Sequence, residues 1–485
     1  MTETIVGRVV EAASLREAIA GSVRGEPQLV VLFGRRRVGK TFLLRHVLDS
    51  AAVPSLYFAA LRGRSSEEAE RLSAEIERRY GERPAADWSS VFLCLVGLAR
   101  TQTVVVAIDE APYLADEDRA WASALQHAWD EAQRGGPCYL FLCLTGSAVT
   151  TMLSIVSSGG PLFGRTTLRI RLDPFDLPMA HEYLGRPVDP RRTMEAFAAC
   201  GGYPLFLRQW DLRATAATNL KRLAAAPHAP LAVDANVFLL DLPDPTGFRR
   251  ALTAIGRRKK HYRVRGDIIE EFSEPGGDNP VGLKRSDVNQ ELGQRADRAL
   301  AVLEQIRLIQ RVHPIGDRSP KAFVYRIADH YLAFWFMFVE PHLQDIESGA
   351  GAQVISRTQR QWETYLGVVF EEEARAHARR LVGRGELPAG TVGQWWEGSS
   401  DARSAEIDVV IDSDGWLLVG EAKMARRFGR NEWEKFNGHL RNAGDRTRHA
   451  QRALWLAGEL DPTIRSQAPD LRVYGLDDMV QSTEA

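Results

Sequence analysis

Residues 29–41 read Leu-Val-Val-Leu-Phe-Gly-Arg-Arg-Arg-Val-Gly-Lys-Thr, and this stretch decides the fold of the first part of the chain. The apolar run predicts a strand, and the segment after it has the G-x-x-x-x-G-K-T spacing of a phosphate-binding loop. Its glycines let backbone N–H groups turn toward phosphate oxygens. The helix predicted from Thr41 onward points its positive end at the same anion. The predicted nucleotide-binding residues are Gly34, Arg35, Arg36, Arg37, Val38, Gly39, Lys40, Thr41 and Phe42.

Two residues of this loop carry its chemistry. Lys40 is placed to reach the β- and γ-phosphates of ATP, and the Thr41 hydroxyl can bind Mg²⁺. The alternative is a chance match in a surface turn. A strand before the loop and a helix after it favour the nucleotide site.

A second motif supplies the other half of such a site. The apolar run 104–108 predicts a strand buried on both faces, and it ends in Asp109-Glu110. Asp109 can hold the Mg²⁺ shell, and Glu110 can polarise the attacking water. The alternative is an acidic pair that caps the next helix. The phosphate loop upstream favours the catalytic interpretation.

Two further residues are candidates for the nucleotide site. Ser147 follows the apolar run 139–144, where it is either a sensor of the γ-phosphate or the water, or a plain helix cap. Arg165 could reach the γ-phosphate or a neighbouring subunit's nucleotide, or it is a solvated turn residue. With strands also predicted at 55–59 and 167–172, five strands alternate with helices and predict a parallel α/β sheet.

Composition limits the possible partners. The chain has 485 residues, 45% of them hydrophobic, which is enough for several domains with sizeable cores. Its net charge of −1 means that any nucleic-acid surface is local. Four cysteines without C-x-x-C spacing favour a reducing cytoplasm. There is no signal-peptide pattern and no apolar stretch of membrane-spanning length, so no membrane association is expected.

Together these motifs resemble the archaeal-type ATPases of the AAA+/STAND group. The matching pieces also include Val6-Gly7-Arg8 with Glu11, Leu162–Arg165 and Gly201-Gly202-Tyr203-Pro204. The resemblance implies that the Gly-Gly-x-Pro turn belongs to a small helical lid that closes on the nucleotide. It therefore places Gly202 and Pro204 near the base or the phosphates. The residues alone predict only a tight turn.

The middle of the chain is locally basic. Residues 246–265 contain eight Lys and Arg and no Asp or Glu, so they form either a phosphate-binding patch or a solvated helix face. Periodicity over 286–309 indicates a helix-turn-helix, and 309–327 indicates a hairpin with a long loop at 314–320. These features predict a winged helix. The segment 325–336 again resembles the same ATPase group.

Near the carboxyl end, two predicted strands carry carboxylates. Residues 406–411 alternate polar and apolar, Asp412–Gly415 indicates a turn, and 416–423 returns. Glu421 and Lys423 project from one face of the returning strand, where Asp408 can meet them. Two carboxylates at one point can hold Mg²⁺ or Mn²⁺, and Lys423 can orient the attacking water or stabilise developing charge.

The helix predicted upstream adds Glu371 as a further possible ligand. This arrangement resembles the PD-(D/E)xK nuclease superfamily, although Ile407 stands where the superfamily name has Pro. The segment 421–450 has eight Lys and Arg against four Asp and Glu, which supports contact with phosphate. The alternative is a charged hairpin without a metal. The fusion to an ATPase favours the nuclease.

We therefore expect a cytoplasmic α/β protein of three parts. These are an AAA+/STAND-like ATPase core with a helical lid (1–235), a winged helix (236–345) and a restriction-endonuclease-like domain (350–485). The expected function is an ATP·Mg²⁺-dependent switch coupled to DNA cleavage, in defence or signalling, with a possible homo-oligomer or protein activator. The alternatives are an ATP-gated scaffold that only binds nucleic acid or protein, and a transcription regulator.

Overall fold

The computed structural model describes residues 5–117, 120–185, 188–240, 242, 244–257, 262–272, 285–316, 323–398, 403–413, 416–444 and 447–481. The chain forms two compact units, Met1–Pro174 and Phe175–Ala485. The segment 175–235, predicted as part of the ATPase with its lid, thus belongs to the second unit. The division into domains at 235 and 345 stays a prediction.

The first unit is built on a parallel sheet of five strands in the order β2-β3-β4-β1-β5. All five lie where the apolar runs predict them, so the parallel α/β core is confirmed. Every residue of β3 and β4 is buried, as expected for strands with both faces covered. The strands are β1 (Gln28–Phe33), β2 (Ser55–Ala59), β3 (Val104–Asp109), β4 (Leu140–Gly146) and β5 (Leu168–Arg171).

Helices alternate with these strands and cover the sheet. Apolar residues at helical spacing on α2, such as Leu44 and Val47, are fully buried against it. The helices of this unit are α1 (Val9–Val23), α2 (Lys40–Ser50), α3 (Ser65–Tyr80), α4 (Trp88–Leu98), α5 (Pro112–Glu117), α6 (Ala120–Ala132) and α7 (Val149–Val156). Because the carboxyl ends of parallel strands share one edge, the ends of β1, β3 and β4 meet where a ligand binds in such sheets.

The second unit begins with short helices. Two of them start with Pro directly after a capping Asp, at Pro190 and Pro245, which fixes their first turn. They are α8 (Leu177–Leu184), α9 (Pro190–Cys200), α10 (Pro204–Leu207), α11 (Ala216–Ala224), α12 (Pro230–Leu240) and α13 (Pro245–Gly256).

A three-stranded antiparallel sheet follows, in the order β6-β8-β7. Its strands are β6 (Tyr262–Arg263), β7 (Ile309–Val312) and β8 (Val324–Ile327), with α14 (Arg265–Glu270) and α15 (Arg285–Gln305) between the first two. The turn predicted within 286–309 is wrong, because residues 285–305 form one continuous helix and Gly293 lies inside it. The predicted loop 314–320 lies partly outside the described residues.

A helical stretch connects this sheet to the last one. It comprises α16 (His330–Phe334), a π-helical turn (Trp335–Val339), a 3₁₀ turn (Glu340–His342), α17 (Leu343–Glu347), α18 (Gly351–Arg357) and the long α19 (Gln359–Gly383). The aromatic residues of the π-helical turn are almost fully buried.

The last sheet is mixed, with the order β15-β13-β11-β10-β9. Strands β9, β10 and β11 pair antiparallel, whereas β11, β13 and β15 are parallel. The elements are β9 (Thr391–Gly398), β10 (Arg403–Ser413), β11 (Trp416–Lys423), β12 (Arg427–Phe428), α20 (Arg430–Asn442), β13 (Gln451–Leu456), β14 (Glu459–Leu460), α21 (Pro462–Gln467), β15 (Arg472–Gly475) and α22 (Leu476–Met479). Part of the predicted turn 412–415 lies outside the described residues.

None of the helices that the structure describes combines the length and apolar character needed to cross a bilayer. All four cysteines, Cys94, Cys138, Cys143 and Cys200, are free thiols, and the last three are buried.

Candidate nucleotide and metal sites

The phosphate loop links β1 to α2 and depends on glycine at both ends. A Cβ on Gly34 would lie 2.1 Å from the Leu172 carbonyl oxygen, so no side chain fits there. Gly39 has a φ of +96°, a left-handed conformation that favours glycine. The loop therefore has the backbone path that its sequence predicts.

Lys40 folds back onto this loop. Its Nζ donates to the carbonyl oxygens of Gly34 and Arg35, at 2.9 and 3.0 Å. Burial lowers the Lys40 pKa to about 8. The ammonium group is thus desolvated and held by neutral carbonyl groups, an arrangement that a phosphate anion would improve.

The remaining loop residues lie around Lys40. Arg35 is buried, Arg36 donates to the Tyr113 hydroxyl at 3.2 Å, and Arg37 has a φ of +70°. Val38 is buried and Phe42 is 46% exposed.

The Mg²⁺ residues predicted from separate motifs meet at the edge of the sheet. Thr41 Oγ1 donates to Asp109 Oδ2 at 2.8 Å, and the Tyr57 hydroxyl donates to the same oxygen. Burial, with the bond to Asp109, raises the Tyr57 pKa to about 12, so Tyr57 stays a donor. The sequence did not indicate Tyr57, because a tyrosine in an apolar run is normally a core residue.

Ser147 contacts Glu110. Its backbone N–H donates to Glu110 Oε2 at 3.1 Å, and its hydroxyl lies 2.9 Å from both carboxylate oxygens. Glu110 has a φ of +53°, which is uncommon for a residue with a side chain and is often found at functional sites. In this structure Ser147 therefore positions the residue predicted to polarise water.

Arg8 supports the loop from outside. It is 7% exposed, and its Nη2 donates to the carbonyl oxygens of Val38 at 3.5 Å and Asp173 at 2.5 Å. Its Nη1 pairs with Glu11 at 3.2 Å. Arg8 was predicted only as part of a family pattern, because its partners Val38 and Asp173 are distant along the chain.

Arg165 lies at the opposite edge of the sheet from the phosphate loop. Its neighbour Thr167 donates its backbone N–H to Leu29 at the start of β1, whereas the phosphate loop follows the end of β1. Arg165 makes a two-point ion pair with Asp130, at 2.7 and 3.0 Å. The position does not support contact with this chain's own nucleotide. Contact with a neighbouring subunit's nucleotide stays a prediction.

The predicted lid residues lie in the second unit. Gly202 has a φ of +76°, and a Cβ there would lie 2.0 Å from the Phe175 carbonyl oxygen. Pro204 begins α10, and Tyr203 donates to Asp329 Oδ2 at 2.7 Å. The glycine therefore serves a tight turn, and contact of Gly202 and Pro204 with nucleotide stays a prediction.

In the last sheet, Asp408, Glu421 and Lys423 come together as predicted. Lys423 Nζ lies 2.7 Å from Glu421 Oε1 and 3.9 Å from Asp408 Oδ2. Asp408 Oδ2 also accepts the Ala422 N–H at 3.0 Å. Both carboxylates are buried, whereas Lys423 is about one-third exposed.

A tighter acidic cluster adjoins this pair. Glu371, Glu406 and Asp408 each offer a carboxylate oxygen, and these three oxygens lie within 4.8 Å of one another. The sequence predicted Glu371 and Asp408 but missed Glu406. The signal was present, because Glu406 and Asp408 are two residues apart in an alternating strand.

The pairing of β10 with β9 shifts next to Asp408. In β10, Ile407 pairs with Trp395 of β9, but Val410 pairs with Gly393, so β10 has one extra residue at Asp408–Val409. Such a bulge redirects side chains, and bulges are frequent beside active sites. Because it depends on the partner strand, the alternation within β10 could not predict it.

The electrostatics of this site suit a cation. Burial, followed by the nearby Asp408, raises the Glu421 pKa to about 8. Burial opposes the charged form of Lys423, yet Asp408 and Glu421 outweigh it and hold the Lys423 pKa above its ordinary value. The buried Glu421 Oε2 has no hydrogen-bond partner among the described residues. A divalent ion would satisfy that oxygen and relieve the repulsion between the carboxylates.

Buried polar contacts fix the helix that carries Glu371. On α19, Glu372 pairs with Arg326 of β8, and both side chains are about nine-tenths buried. The Tyr365 hydroxyl lies 2.9 Å from the Ala198 carbonyl oxygen and 2.8 Å from that of His330. Since these partners are 35 to 167 residues away in sequence, no local pattern could predict them.

Two arginines of the basic segment 246–265 form ion pairs with acidic residues of other elements. Arg257 makes a two-point ion pair with Glu340, at 2.9 and 3.0 Å, and Arg265 makes one with Asp297, at 2.6 and 2.7 Å. Two of the eight positive charges are therefore compensated, because acidic residues from other elements pair with them.

The other charges of this segment are divided between two groups. Arg249 and Arg250 donate to the Asn236 side chain and the Phe272 carbonyl, each at 3.1 Å. Arg258, Lys259 and Lys260 lie outside the described residues, as does the side chain of Arg263.

Comparisons with known proteins agree with the position of the first site. Residues 26–180 match a family model described as "AAA domain", and residues 335–436 match one described as "Archaea bacterial proteins of unknown function". An uncharacterised protein of Methanocaldococcus jannaschii is 26% identical over 409 residues, which cover 82% of each chain.

Solved structures with similarity include a Walker-type ATPase of Pyrococcus abyssi, paby2304. It is 22% identical with a TM-score of 0.48, covering 68% of this chain and 96% of that one. The Aeropyrum pernix ORC2 protein in its ADPNP–ADP complexes is 12% identical with a TM-score of 0.45, covering 73% and 96%. The AAA-domain match spans the phosphate loop, Asp109, Glu110 and Ser147, and it supports an ATPase of the Walker type in this part of the chain.

Proposed function

We propose that this protein is an ATP-binding and ATP-hydrolysing switch whose carboxyl-terminal sheet cleaves DNA with a divalent metal. The cleavage proposal rests on the carboxylate oxygens of Glu371, Glu406 and Asp408, which lie within 4.8 Å of one another. In the same site, Glu421 contacts Lys423.

The first site has the groups that ATP hydrolysis needs. Lys40 would exchange its carbonyl partners for phosphate oxygens, and Glu110, held by Ser147, would orient the attacking water. Thr41 and Asp109 already lie 2.8 Å apart and fit a Mg²⁺ ion, which would neutralise phosphate charge.

The second site fits phosphodiester hydrolysis. Glu371, Glu406, Asp408 and Glu421 would hold Mg²⁺ or Mn²⁺, which supplies Lewis-acid chemistry to the phosphate. Lys423, which is partly exposed and held at Glu421, would donate to the developing charge or orient the water. In the chain, α19 precedes the mixed sheet, and α20 lies between its strands β11 and β13. This element order supports the resemblance to PD-(D/E)xK nucleases.

Residues 236–345 are proposed as a winged helix that contacts nucleic acid or relays the nucleotide state. Its support is the order α13-β6-α14-α15-β7-β8 with the three-stranded sheet β6-β8-β7, which is the element order of that module. The ion pairs of Arg257 and Arg265 weigh against these two arginines as phosphate contacts.

The second candidate function is an ATP-gated scaffold that binds nucleic acid or protein without cutting it. The ion pair between Lys423 and Glu421 favours this role if it persists when metal is present, because Lys423 would then be neutralised. In either role, a homo-oligomer or an activating protein would supply the signal.

The two roles are separated by metal-dependent cleavage of plasmid DNA by the full chain with ATP. The nuclease proposal expects nicking with Mg²⁺ or Mn²⁺, its loss in Lys423→Ala, and ATP hydrolysis retained in that variant. Lys435→Ala, an exposed lysine on α20, is the matched control. If the wild type cleaves no DNA with any metal, nucleotide or partner, the nuclease proposal fails and the ATP-gated scaffold is the remaining function.

A further inference from the structure

Beside the carboxyl-terminal sheet lies a cavity of about 730 Å³, which we name the α20 cleft. The helix packs on the sheet through its apolar residues, and two of these, Trp433 and Leu440, also line the cavity. The residues that matter for the argument are Arg430, Trp433, Glu434, Arg441, Arg448 and Arg452.

The charge of this cleft is one-sided. Among the described residues, four arginines line it against one carboxylate, Glu434, in a chain whose net charge is only −1. Arg430, Arg441 and Arg452 form no ion pair within the part of the chain that the structure describes. Arg257 and Arg265 of the same unit are, by contrast, paired with acidic residues. Like charges that share a concave surface favour an anionic ligand.

An aromatic ring helps to hold one of these cations. The Arg452 guanidinium lies 5.7 Å from the centre of the Trp433 ring, within the range of a cation–π contact. Trp433 is only 7% exposed, so the ring is a fixed support. Arg452 is thereby preorganised without being neutralised, which lowers the entropic cost of binding an anion.

The cleft is connected to the carboxylate site through two elements. The strand β13, which carries Arg452, pairs in parallel with β11, so that Arg452 lies opposite Val419, four residues before Lys423. That separation is about 13 Å along a strand. On α20, His439 Nδ1 donates to the Glu406 carbonyl oxygen at 2.8 Å. A ligand in the cleft would therefore lie within a few nucleotides of the metal-binding residues.

We propose that the α20 cleft binds the phosphate backbone of the DNA that the carboxylate site acts on; this rests on the proposed function. Arg430 and Arg441 are eleven residues apart on α20, or about 16 Å at 1.5 Å per residue. This distance matches about five steps of a nucleic-acid strand at 3.4 Å each. A single triphosphate could not contact both ends, so a repeating polyanion fits better than a free nucleotide.

The test measures binding of a short labelled duplex DNA to the full chain in EDTA, where no cleavage is needed. The double variant Arg441→Gln with Arg452→Gln should bind about tenfold more weakly at physiological salt. Its plot of log affinity against log salt should be shallower by about 1.8, or 0.9 for each lost phosphate contact. Glu434→Gln should instead tighten binding, roughly two- to threefold, because it removes a negative charge from the cleft.

Arg472→Gln, an exposed arginine on β15 outside the cleft, is the matched control and should bind like the wild type. Unchanged affinity and salt slope in the double variant, with no gain in Glu434→Gln, would overturn the proposal. Binding of inorganic triphosphate but not DNA through these arginines would also overturn it. DNA that the wild type binds through these arginines but never cuts with any metal would remove the nuclease and leave the cleft standing.

Discussion

The two candidate sites are built in different ways. In the first unit, the phosphate loop is a continuous segment of eight residues whose backbone path is set by its own glycines. In the second unit, the carboxylate site takes side chains from α19, β10 and β11, and it depends on the register that pairs Val409 with Gly420. The comparison teaches that a site made mostly of local backbone is encoded by a short motif, whereas a site made of side chains depends on strand register.

The largest expected effect is on the locally built site. Lys40→Ala removes the one charged donor that the loop aims at phosphate, so ATP binding and hydrolysis should fall at least about a hundredfold. Calorimetric titration with ATP and a phosphate-release assay measure both. Arg78→Ala on the exposed side of α3 is the control. Equal nucleotide affinity in Lys40→Ala and the wild type would show that this loop does not bind phosphate.

Glu406, the carboxylate of the cluster that was not predicted from the sequence, provides the sharpest test of the carboxylate site. Glu406→Gln keeps the shape of the side chain but removes a charge from the cluster. The metal concentration that gives half-maximal DNA cleavage should rise roughly ten- to hundredfold. Glu459→Gln on β14 should leave it unchanged. If Glu371→Gln shifts the metal requirement and Glu406→Gln does not, the ligands are those predicted from the sequence alone.

A substitution at Ser147 tests whether this residue positions Glu110 or contacts the nucleotide. Ser147→Ala removes the hydroxyl contact with Glu110 while the backbone N–H remains. Hydrolysis should fall about tenfold at unchanged ATP affinity, since Glu110 loses one of the donors that hold it. A parallel loss of ATP affinity would mean that Ser147 contacts the nucleotide itself.

Prediction from sequence was complete where hydrophobic runs and short motifs carry the information. All five strands of the first sheet lie where apolar runs place them, and Thr41 meets Asp109 although they are 68 residues apart. The reason is general, because the carboxyl ends of parallel strands share one edge. Arg165 was the exception, since it precedes its strand and therefore lies at the other edge.

What the sequence could not provide were contacts set by tertiary packing. The support of the phosphate loop by Arg8 and the anchoring of α19 through Arg326 and Glu372 join residues far apart in the chain. The pairing of Arg257 with Glu340 likewise neutralises part of a segment that is basic in sequence. Charge counted along a window does not show which residues of other elements neutralise it.

The smallest expected effect is a loss of stability in the second unit as the pH falls. His377 on α19 accepts a hydrogen bond from Trp455 Nε1 at 3.0 Å, and burial lowers its pKa from 6.5 to about 3. The folded form stays neutral as pH falls, while the unfolded chain takes up a proton. Stability is therefore fully present above pH 6.5 and is lost progressively toward pH 3.

As the pH falls from 6.5 to about 5.5, this histidine should lower the free energy of unfolding by about 1 kcal/mol. Denaturant unfolding of the wild type and of His377→Gln at both pH values measures the difference. The variant should lose less stability than the wild type over this range. An equal loss in both proteins would show that His377 titrates normally in the folded state.

The central claim is that the carboxyl-terminal sheet holds a divalent ion independently of the nucleotide site. Titration of nucleotide-free protein with Mn²⁺ tests it most directly. The account predicts a Mn²⁺ site that is lost in the double variant Asp408→Asn with Glu421→Gln and is unchanged in Lys40→Ala. Absence of Mn²⁺ binding in the wild type, or equal binding in the double variant, would contradict the account.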